Sequence, residues 1–230
     1  MITDSPVEFF YTSPEAVLSP EVASVLEKIE IQTIVVDEAH CIVQWGNHFR
    51  EEYNKLGSLK TTYNCQIIAM TATATTDTMT TIIKSLNMTK PTICKFSCIR
   101  TNIAMSFINC KNLKQVAEYI RENHSGQSGI IYFNDRLSCE NAPHFLNKVG
   151  IKSIYFHGQL SREQKMTNTQ AWLTDSVCVM CATCAFGLGI DKPSVRFVIR
   201  YSMPDTIEEM VQEAGRAGRD GDPCSYKMFF

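Results

Sequence analysis

Short apolar runs recur along this 230-residue chain, each bounded by polar turns and separated from the next by an amphipathic segment. Most do not alternate apolar with polar residues, so they suit strands buried on both faces, as parallel strands joined by crossover helices are. The expected class is α/β, with parallel sheets. Strands are expected at Val7 to Tyr11, Thr33 to Val36, Gln66 to Met70, Thr92 to Phe96, Ile103 to Ile108, Gly129 to Phe133, Ser153 to Phe156, Val177 to Cys181, Val195 to Ile199 and Tyr226 to Phe230. Helix starts are marked by Ser19-Pro20, by the capping-box form of Ser161 and Gln164, and by Pro204-Asp205 ahead of Thr206. The polar stretch Ser97 to Asn102 joins two strand-like runs with no helix between them, which puts a domain boundary there, with lobes over 1–99 and 100–230. Strand ends of two such lobes, facing each other, would frame a ligand cleft.

With 44% hydrophobic and 20% charged residues the composition is that of an ordinary globular chain, and no apolar run reaches the length of a membrane span. No membrane partner is expected. The first residues lack a basic segment followed by an apolar stretch, so an intracellular protein with reduced cysteines is expected. Cys178-x-x-Cys181-x-x-Cys184 has a metal-like spacing, but an offset of three along a strand turns side chains to opposite faces, so no metal is expected on these thiols. The net charge of -2 excludes binding of nucleic acid by overall basicity and leaves room for a locally positive groove.

Asp37-Glu38-Ala39-His40 follows the run Thr33 to Val36 directly. A carboxylate at a strand end can hold Mg²⁺ through its water shell, and a second beside it can orient and deprotonate an attacking water. None of the eleven glycines is followed by lysine, so the chain contains no G-x-x-x-x-G-K-[ST] phosphate loop. Thr71-Ala72-Thr73 follows the strand run Gln66 to Met70, and its hydroxyls suit bonding to His40 or the carboxylates. A helix cap is the commoner use of such hydroxyls. In Gln212-Glu213-Ala214-Gly215-Arg216-Ala217-Gly218-Arg219-Asp220-Gly221, two arginines three apart are expected on one side of a helical turn, where guanidinium forks suit the charge of a transferred phosphoryl group.

Thr183 to Pro193 follows another strand, and Gly187 and Gly189 free that loop to reach a ligand, with Asp191 as a polar contact. Trp45, Phe49 and Arg50 lie in a loop just after the acids, a combination suited to stacking on unpaired bases. A satellite core under that loop is the alternative. Asn134, Arg136 and His157 end strand runs where phosphates of a nucleic acid could be met, although a satisfied core histidine is as good an account of His157.

Taken together, these motifs resemble the RecQ family of superfamily 2 DNA helicases, from about Val7 to the last residue. The acid motif, Cys41-x-x-Gln44-Trp45-Gly46 with Phe49-Arg50, Ala185 to Pro193 and Gln212 to Gly221 carry the likeness. The resemblance implies two RecA-like parallel-sheet lobes, ATP hydrolysis with Mg²⁺ and 3′ to 5′ translocation on single-stranded DNA that separates a duplex at a fork, in the nucleus or nucleoid. By that likeness Asp37 serves Mg²⁺ and Glu38 the water, while Gln212, Arg216 and Arg219, with Gly187, Gly189 and Asp191, serve the nucleotide. His40, Thr71 and Thr73 would couple nucleotide to DNA, and Trp45, Phe49, Arg50, Asn134, Arg136, His157 and Thr183 would meet DNA. The chain departs from the family pattern at Asn47-His48, at Glu51, and at Arg100-Thr101-Asn102. Without a phosphate loop the first lobe is expected to be incomplete and ATP turnover by this chain negligible. The alternative is a truncated form that binds DNA or a partner without hydrolysis.

Overall fold

The computed structural model describes residues 9–44, 51–109, 112–187 and 190–230, so Trp45, Phe49, Arg50 and Gly189 lie outside the described residues. The chain divides into two units, Met1–Phe96 and Ser97–Phe230.

In the first unit the Ser-Pro pairs do what their chemistry favours. Ser13 and Ser19 accept bonds from Ala16 N and Val22 N, and the prolines after them open α1 (Pro14–Val17) and α2 (Pro20–Leu26). There follow β1 (Thr33–Val36), α3 (Cys41–Gln44), α4 (Glu51–Lys55), α5 (Gly57–Tyr63), β2 (Gln66–Ala69) and α6 (Thr76–Ser85). The two strands pair in parallel, Thr33 beside Gln66 through Val36 beside Ala69. Val36, Ala39, Ile42, Leu56, Leu59 and Leu86 form the core beneath them. On the other side Val35 and Ile68, partners in register, are about half exposed. Two expected strands are absent. Phe9 to Tyr11 and Thr92 to Phe96 are not strands, because among the described residues no neighbouring strand offers them a ladder. Phe96 is 92% exposed.

The second unit holds β3 (Ile103–Ile108), α7 (Leu113–Asn123), β4 (Gly129–Phe133), α8 (Arg136–Lys148), β5 (Ser153–Phe156), α9 (Arg162–Leu173), β6 (Val179–Ala182), β7 (Phe197–Tyr201), α10 (Ile207–Ala214) and β8 (Cys224–Phe229). All six strands are parallel, in the order β3-β8-β7-β4-β6-β5. Alternation along the buried strands sorts the core into two layers. Ile131, Phe133, Val179, Cys181, Phe197 and Ile199 meet α7 and α8 on one face. Ile130, Tyr132, Met180 and Val198 meet Trp172 of α9 and Ala214 of α10 on the other. Full burial of each large side chain here stabilises by about 1.5–3 kcal/mol relative to exposure. The Trp172 indole also donates to Gly129 O at 3.1 Å, which satisfies its one polar atom.

The expected capping box forms, with Ser161 and Gln164 each accepting from the other's backbone. Strand β7 runs two residues past its expected end at Ile199 because the charge of Arg200 is buried against acids rather than turned to water. Cys178 lies just ahead of β6 and packs against the same cluster as Cys181, so the expected separation of these two thiols onto opposite faces does not hold. Cys184 is exposed, and no metal-like group of His, Cys, Asp and Glu occurs among the described residues.

Candidate functional site

Three groups of side chains gather where strands end, and the first is the acid loop after β1. The ladder between β1 and β2 continues past both strands, with Met70 N donating to Val36 O and Ala39 N to Met70 O, each at 2.9 Å. This draws the loop after β2 alongside the acids. Thr71 Oγ1 donates to Thr73 O (2.9 Å) and accepts from Thr73 N (3.2 Å), so the bond to His40 Nδ1 at 2.9 Å requires the imidazole to be the donor. The same Nδ1 lies 3.2 Å from Glu38 Oε2, and His40 is 6% exposed. Glu38, His40 and Thr71 are thus one connected group, and Asp37 stands exposed beside them, its Oδ1 accepting from Glu38 N at 2.8 Å. The helix-cap role expected for Thr71 to Thr73 falls instead to Thr75, whose hydroxyl accepts from Thr78 N.

Glu38 has φ +49, a left-handed backbone on a charged residue rather than on glycine. That conformation costs on the order of 1–3 kcal/mol. Its Oε2 is buried without a hydrogen-bond partner. A hard carboxylate oxygen short of partners next to an exposed second carboxylate is a donor set that fits Mg²⁺ with its waters.

The second group is the arginine turn of the second unit. Helix α10 carries Gln212 in its last turn and stops at Ala214, with Gly215 as its cap. Arg216 and Arg219 therefore lie in the turns that follow, not on a helix as the spacing implied. The reason is Gly218. Its φ is +53, and a Cβ there would meet Cys224 Sγ at 2.5 Å and Asn102 Nδ2 at 2.6 Å. Only glycine fits this left-handed, close-packed position. Gly187 plays the matching part in the preceding loop. At φ +142 it lets the Arg216 guanidinium lie against its backbone, where a Cβ would be 2.9 Å from Nε. Arg219 Nη1 donates to Asp191 Oδ1 at 2.9 Å, so the polar contact expected of Asp191 is with this arginine.

The third group is a row along the carboxyl edge of β4, β6 and β5. Register pairs Tyr132 and Phe156 with Ala182, so Phe133, Thr183 and His157 are level, and Asn134 and Arg136 follow on the β4 side. The row is uneven. Thr183 and His157 are 8% and 5% exposed, whereas Asn134 and Arg136 are exposed. His157 Nε2 is 2.8 Å from Glu140 Oε1 but out of line for a hydrogen bond, and its ring stacks on Tyr155. The Asn134 amide is already engaged, donating to Met203 O at 3.1 Å and accepting from Arg200 Nη2.

Arg200 was not foreseen as a site residue. It is 1% exposed, and its Nη1 donates to Glu213 Oε1 at 2.5 Å and Glu209 Oε1 at 3.3 Å, which ties β7 and the end of β4 to α10. Burial, aided by the Glu209 charge and opposed by Arg200, pushes the Glu213 carboxyl up to about 8. Arg100 and Asn102 were missed too, and both bond to the arginine turn. A buried arginine shows in sequence only as one charge in an apolar run. The other two stood out only as part of the altered family segment Arg100-Thr101-Asn102, with nothing local to say what they bond.

Residues 2–82 match the family model described as DEAD/DEAH box helicase, and residues 111–221 that of the helicase conserved C-terminal domain. The chain is 38% identical over 236 aligned residues to "ATP-dependent DNA helicase Q-like 4B" of Arabidopsis thaliana, covering 98% of this chain and 20% of that protein. It is 38% identical to "RecQ-like DNA helicase blm-1" of Caenorhabditis elegans and 36% identical to "ATP-dependent DNA helicase RecQ" of Pasteurella multocida. Each alignment takes in 97% of this chain, with 24% and 36% of those proteins covered. The chain thus spans well under half the length of these relatives. Among solved structures, Mycobacterium smegmatis helicase Lhr bound to ssDNA and AMP-PNP superposes with a TM-score of 0.73 at 20% identity, over 94% of this chain and 31% of that one. Saccharomyces cerevisiae Dbp5 bound to RNA and ADP BeF3 does so at 0.71 and 18%, over 92% and 58%. At those identities the likeness is one of fold, that of RecA-like helicase domains.

Proposed function

Since the chain belongs to the RecQ family of superfamily 2 helicases, we propose that it is motor sequence of an ATP-dependent DNA helicase that moves 3′ to 5′ on single-stranded DNA and opens forked duplexes. The observation that carries this reading is the linked group Glu38, His40 and Thr71 beside the exposed Asp37. It gives a water-orienting carboxylate a direct connection to the loop after the neighbouring strand.

In this reading Asp37 would hold Mg²⁺ through its water shell, and the metal when bound supplies charge to neutralise the nucleotide phosphates. Glu38 orients and deprotonates the attacking water. His40 keeps Glu38 in place and, through Thr71 and Thr73, carries its state to the segment ahead of α6. Arg216, Arg219 and Gln212, beside the loop of Gly187, Gly189 and Asp191, offer guanidinium and amide donors to the phosphoryl group. For Arg219 this requires leaving Asp191. Asn134 and Arg136 are the exposed members of the row offered to the DNA backbone, which for the Asn134 amide requires leaving Met203 O, while Thr183 and His157 support it from below. Trp45, Phe49 and Arg50 are assigned to unpaired bases on chemistry alone. In a eukaryote such a protein works in the nucleus.

The residues present fit the metal and the developing charge, but none supplies the phosphate loop. Catalysis here is mainly positioning, so ATP turnover by these 230 residues alone is expected to be negligible. DNA binding does not need that loop. Fluorescence anisotropy with labelled single-stranded DNA should show salt-sensitive binding that weakens in Arg136→Ala and in Trp45→Ala. DNA-stimulated ATP turnover that disappears in Glu38→Gln would defeat the expectation of inactivity. Absence of single-strand binding at low salt would defeat the DNA reading.

A further inference from the structure

Arg100 and Asn102 belong to the short segment by which the chain enters the second unit, four and six residues past the division at Phe96. Both reach across the sequence to the arginine turn. Asn102 Nδ2 donates to Gly218 O and to Asp222 O, each at 2.9 Å. Arg100 Nη1 donates to Gly215 O at 3.5 Å and its Nη2 to Gly218 O. The backbone of Asn102 joins in, its carbonyl accepting from Cys224 N at 2.9 Å. From the far side Gly218 N donates to Val195 O at 2.8 Å. The carbonyls at both ends of Gly215-Arg216-Ala217-Gly218 are therefore held by side chains from one distant segment.

Helix α10 does only part of this holding. It ends at Ala214, and beyond it the ladder tightens to Arg216 N donating to Glu213 O (3.1 Å) and Ala217 N to Ala214 O (3.0 Å), while Gly218 O accepts only from Gly221 N within the turn. Carbonyls there need outside donors, and a guanidinium fork together with an amide that has two hydrogens supplies four bonds. Arg216 and Arg219 lie between and just beyond the held carbonyls, so the course of the backbone that brings them to Gly187 and Asp191 depends on the clamp.

We infer that Arg100 and Asn102 are positioning residues that set the arginine turn and connect the segment between the two units to it. Displacement of that segment would then move Arg216 and Arg219 directly, as well as through the β3–β8 ladder that Asn102 O opens. The catalytic meaning of this clamp rests on the proposed phosphate role of the arginines; its mechanical part does not.

The test uses the whole chain as wild type, Asn102→Asp, Asn102→Ala and Arg100→Lys. Asn102→Asp keeps the shape of the side chain and replaces a two-hydrogen donor by an acceptor facing two carbonyls. Amide exchange followed by mass spectrometry should speed up by about ten-fold or more over Gly215 to Asp222 in that variant, with β4 and β7 unchanged. Asn102→Ala should show less, and Arg100→Lys, which keeps the charge and loses the fork, least. In parallel, the guanidinium NMR signal of Arg219 should shift while the indole signal of Trp172 stays put. Unchanged exchange in the turn, an unmoved Arg219 signal, or equal loss of protection in β4 would overturn the clamp. Adding Mg²⁺-pyrophosphate to the wild type addresses the other reading separately. Failure of the Arg216 and Arg219 signals to respond would count against the phosphate role while the exchange result still decides the clamp.

Discussion

The acid loop and the arginine turn carry opposite charges and are built in opposite ways. The acid loop stands on two strands, and its key residue Glu38 holds a left-handed backbone and a buried oxygen without a hydrogen-bond partner. The arginine turn rests on a six-stranded sheet, gives its left-handed positions to glycine, and is tied down by Arg100, Asn102 and Val195. In terms of the proposed function, strain is kept where a proton would be moved, and is removed where a cation would only have to be presented. A general base gains from sitting in a conformation its surroundings must enforce. A guanidinium needs only a fixed direction.

The sharpest way to break this contrast is to spoil the bracing of the second unit. Arg200→Ala removes the guanidinium bonds to Glu213, Glu209 and Asn134 and opens a cavity beside a carboxyl that is then protonated, and the second unit should lose about 2–5 kcal/mol in urea unfolding followed by hydrogen exchange. The first unit should be unaffected. The same pair gives a pH signature. Burial raises the Glu213 carboxyl to about 8 in the folded protein, so between the ordinary carboxylate range and pH 8 the native state binds more protons than the unfolded one. Stability of the second unit should therefore fall as the pH is raised through that window, and Glu213→Gln should flatten the slope. A stability that rises with pH from 5 to 8 would contradict this.

Gly218→Ala comes next. A methyl group at φ +53, within 3 Å of three atoms, should cost about 2–4 kcal/mol by the same measurement. Thr71→Val is milder. It removes the hydroxyl that bonds His40 and Thr73, and the first unit should lose about 1–2 kcal/mol while the second keeps its full stability. The smallest effect has the opposite sign. Glu38→Gly relieves the left-handed strain and should stabilise the first unit by about 0.5 kcal/mol, the remainder being offset by the entropy glycine loses on folding. Destabilisation by Glu38→Gly would mean that the acid loop is braced after all.

The strands could be read from sequence wherever burial on both faces left no choice of period. Those at Ile103 to Ile108, Gly129 to Phe133 and Ser153 to Phe156 begin and end where the apolar runs do. The reading failed where a distant partner decides. Thr92 to Phe96 has the composition of a strand and no neighbour to pair with among the described residues. The glycines around Arg216 looked like parts of a helix because the donors that fix them, on Asn102 and Arg100, lie more than 110 residues away in sequence. Motif chemistry offered His40 as a partner for the Thr71 to Thr73 hydroxyls, beside a helix cap, because the two loops follow adjacent strands; it named Asp191 a polar contact without giving its partner Arg219. Arg200 could not be found that way, because its importance comes from three acceptors contributed by α10 and the end of β4.

The pairing of β3 with β8 bears on how the second unit comes together. Ile103 lies beside Cys224 and Ile108 beside Phe229, so the earliest strand of this sheet has the latest as its neighbour. With order β3-β8-β7, β3 touches no other strand. During synthesis β3 must wait, its Met105 and Phe107 still about half exposed even in the finished sheet, until nearly the whole unit has been made. Pairing across that separation closes a long loop and is slow, so β3 is the strand most open to wrong partners while the chain is young.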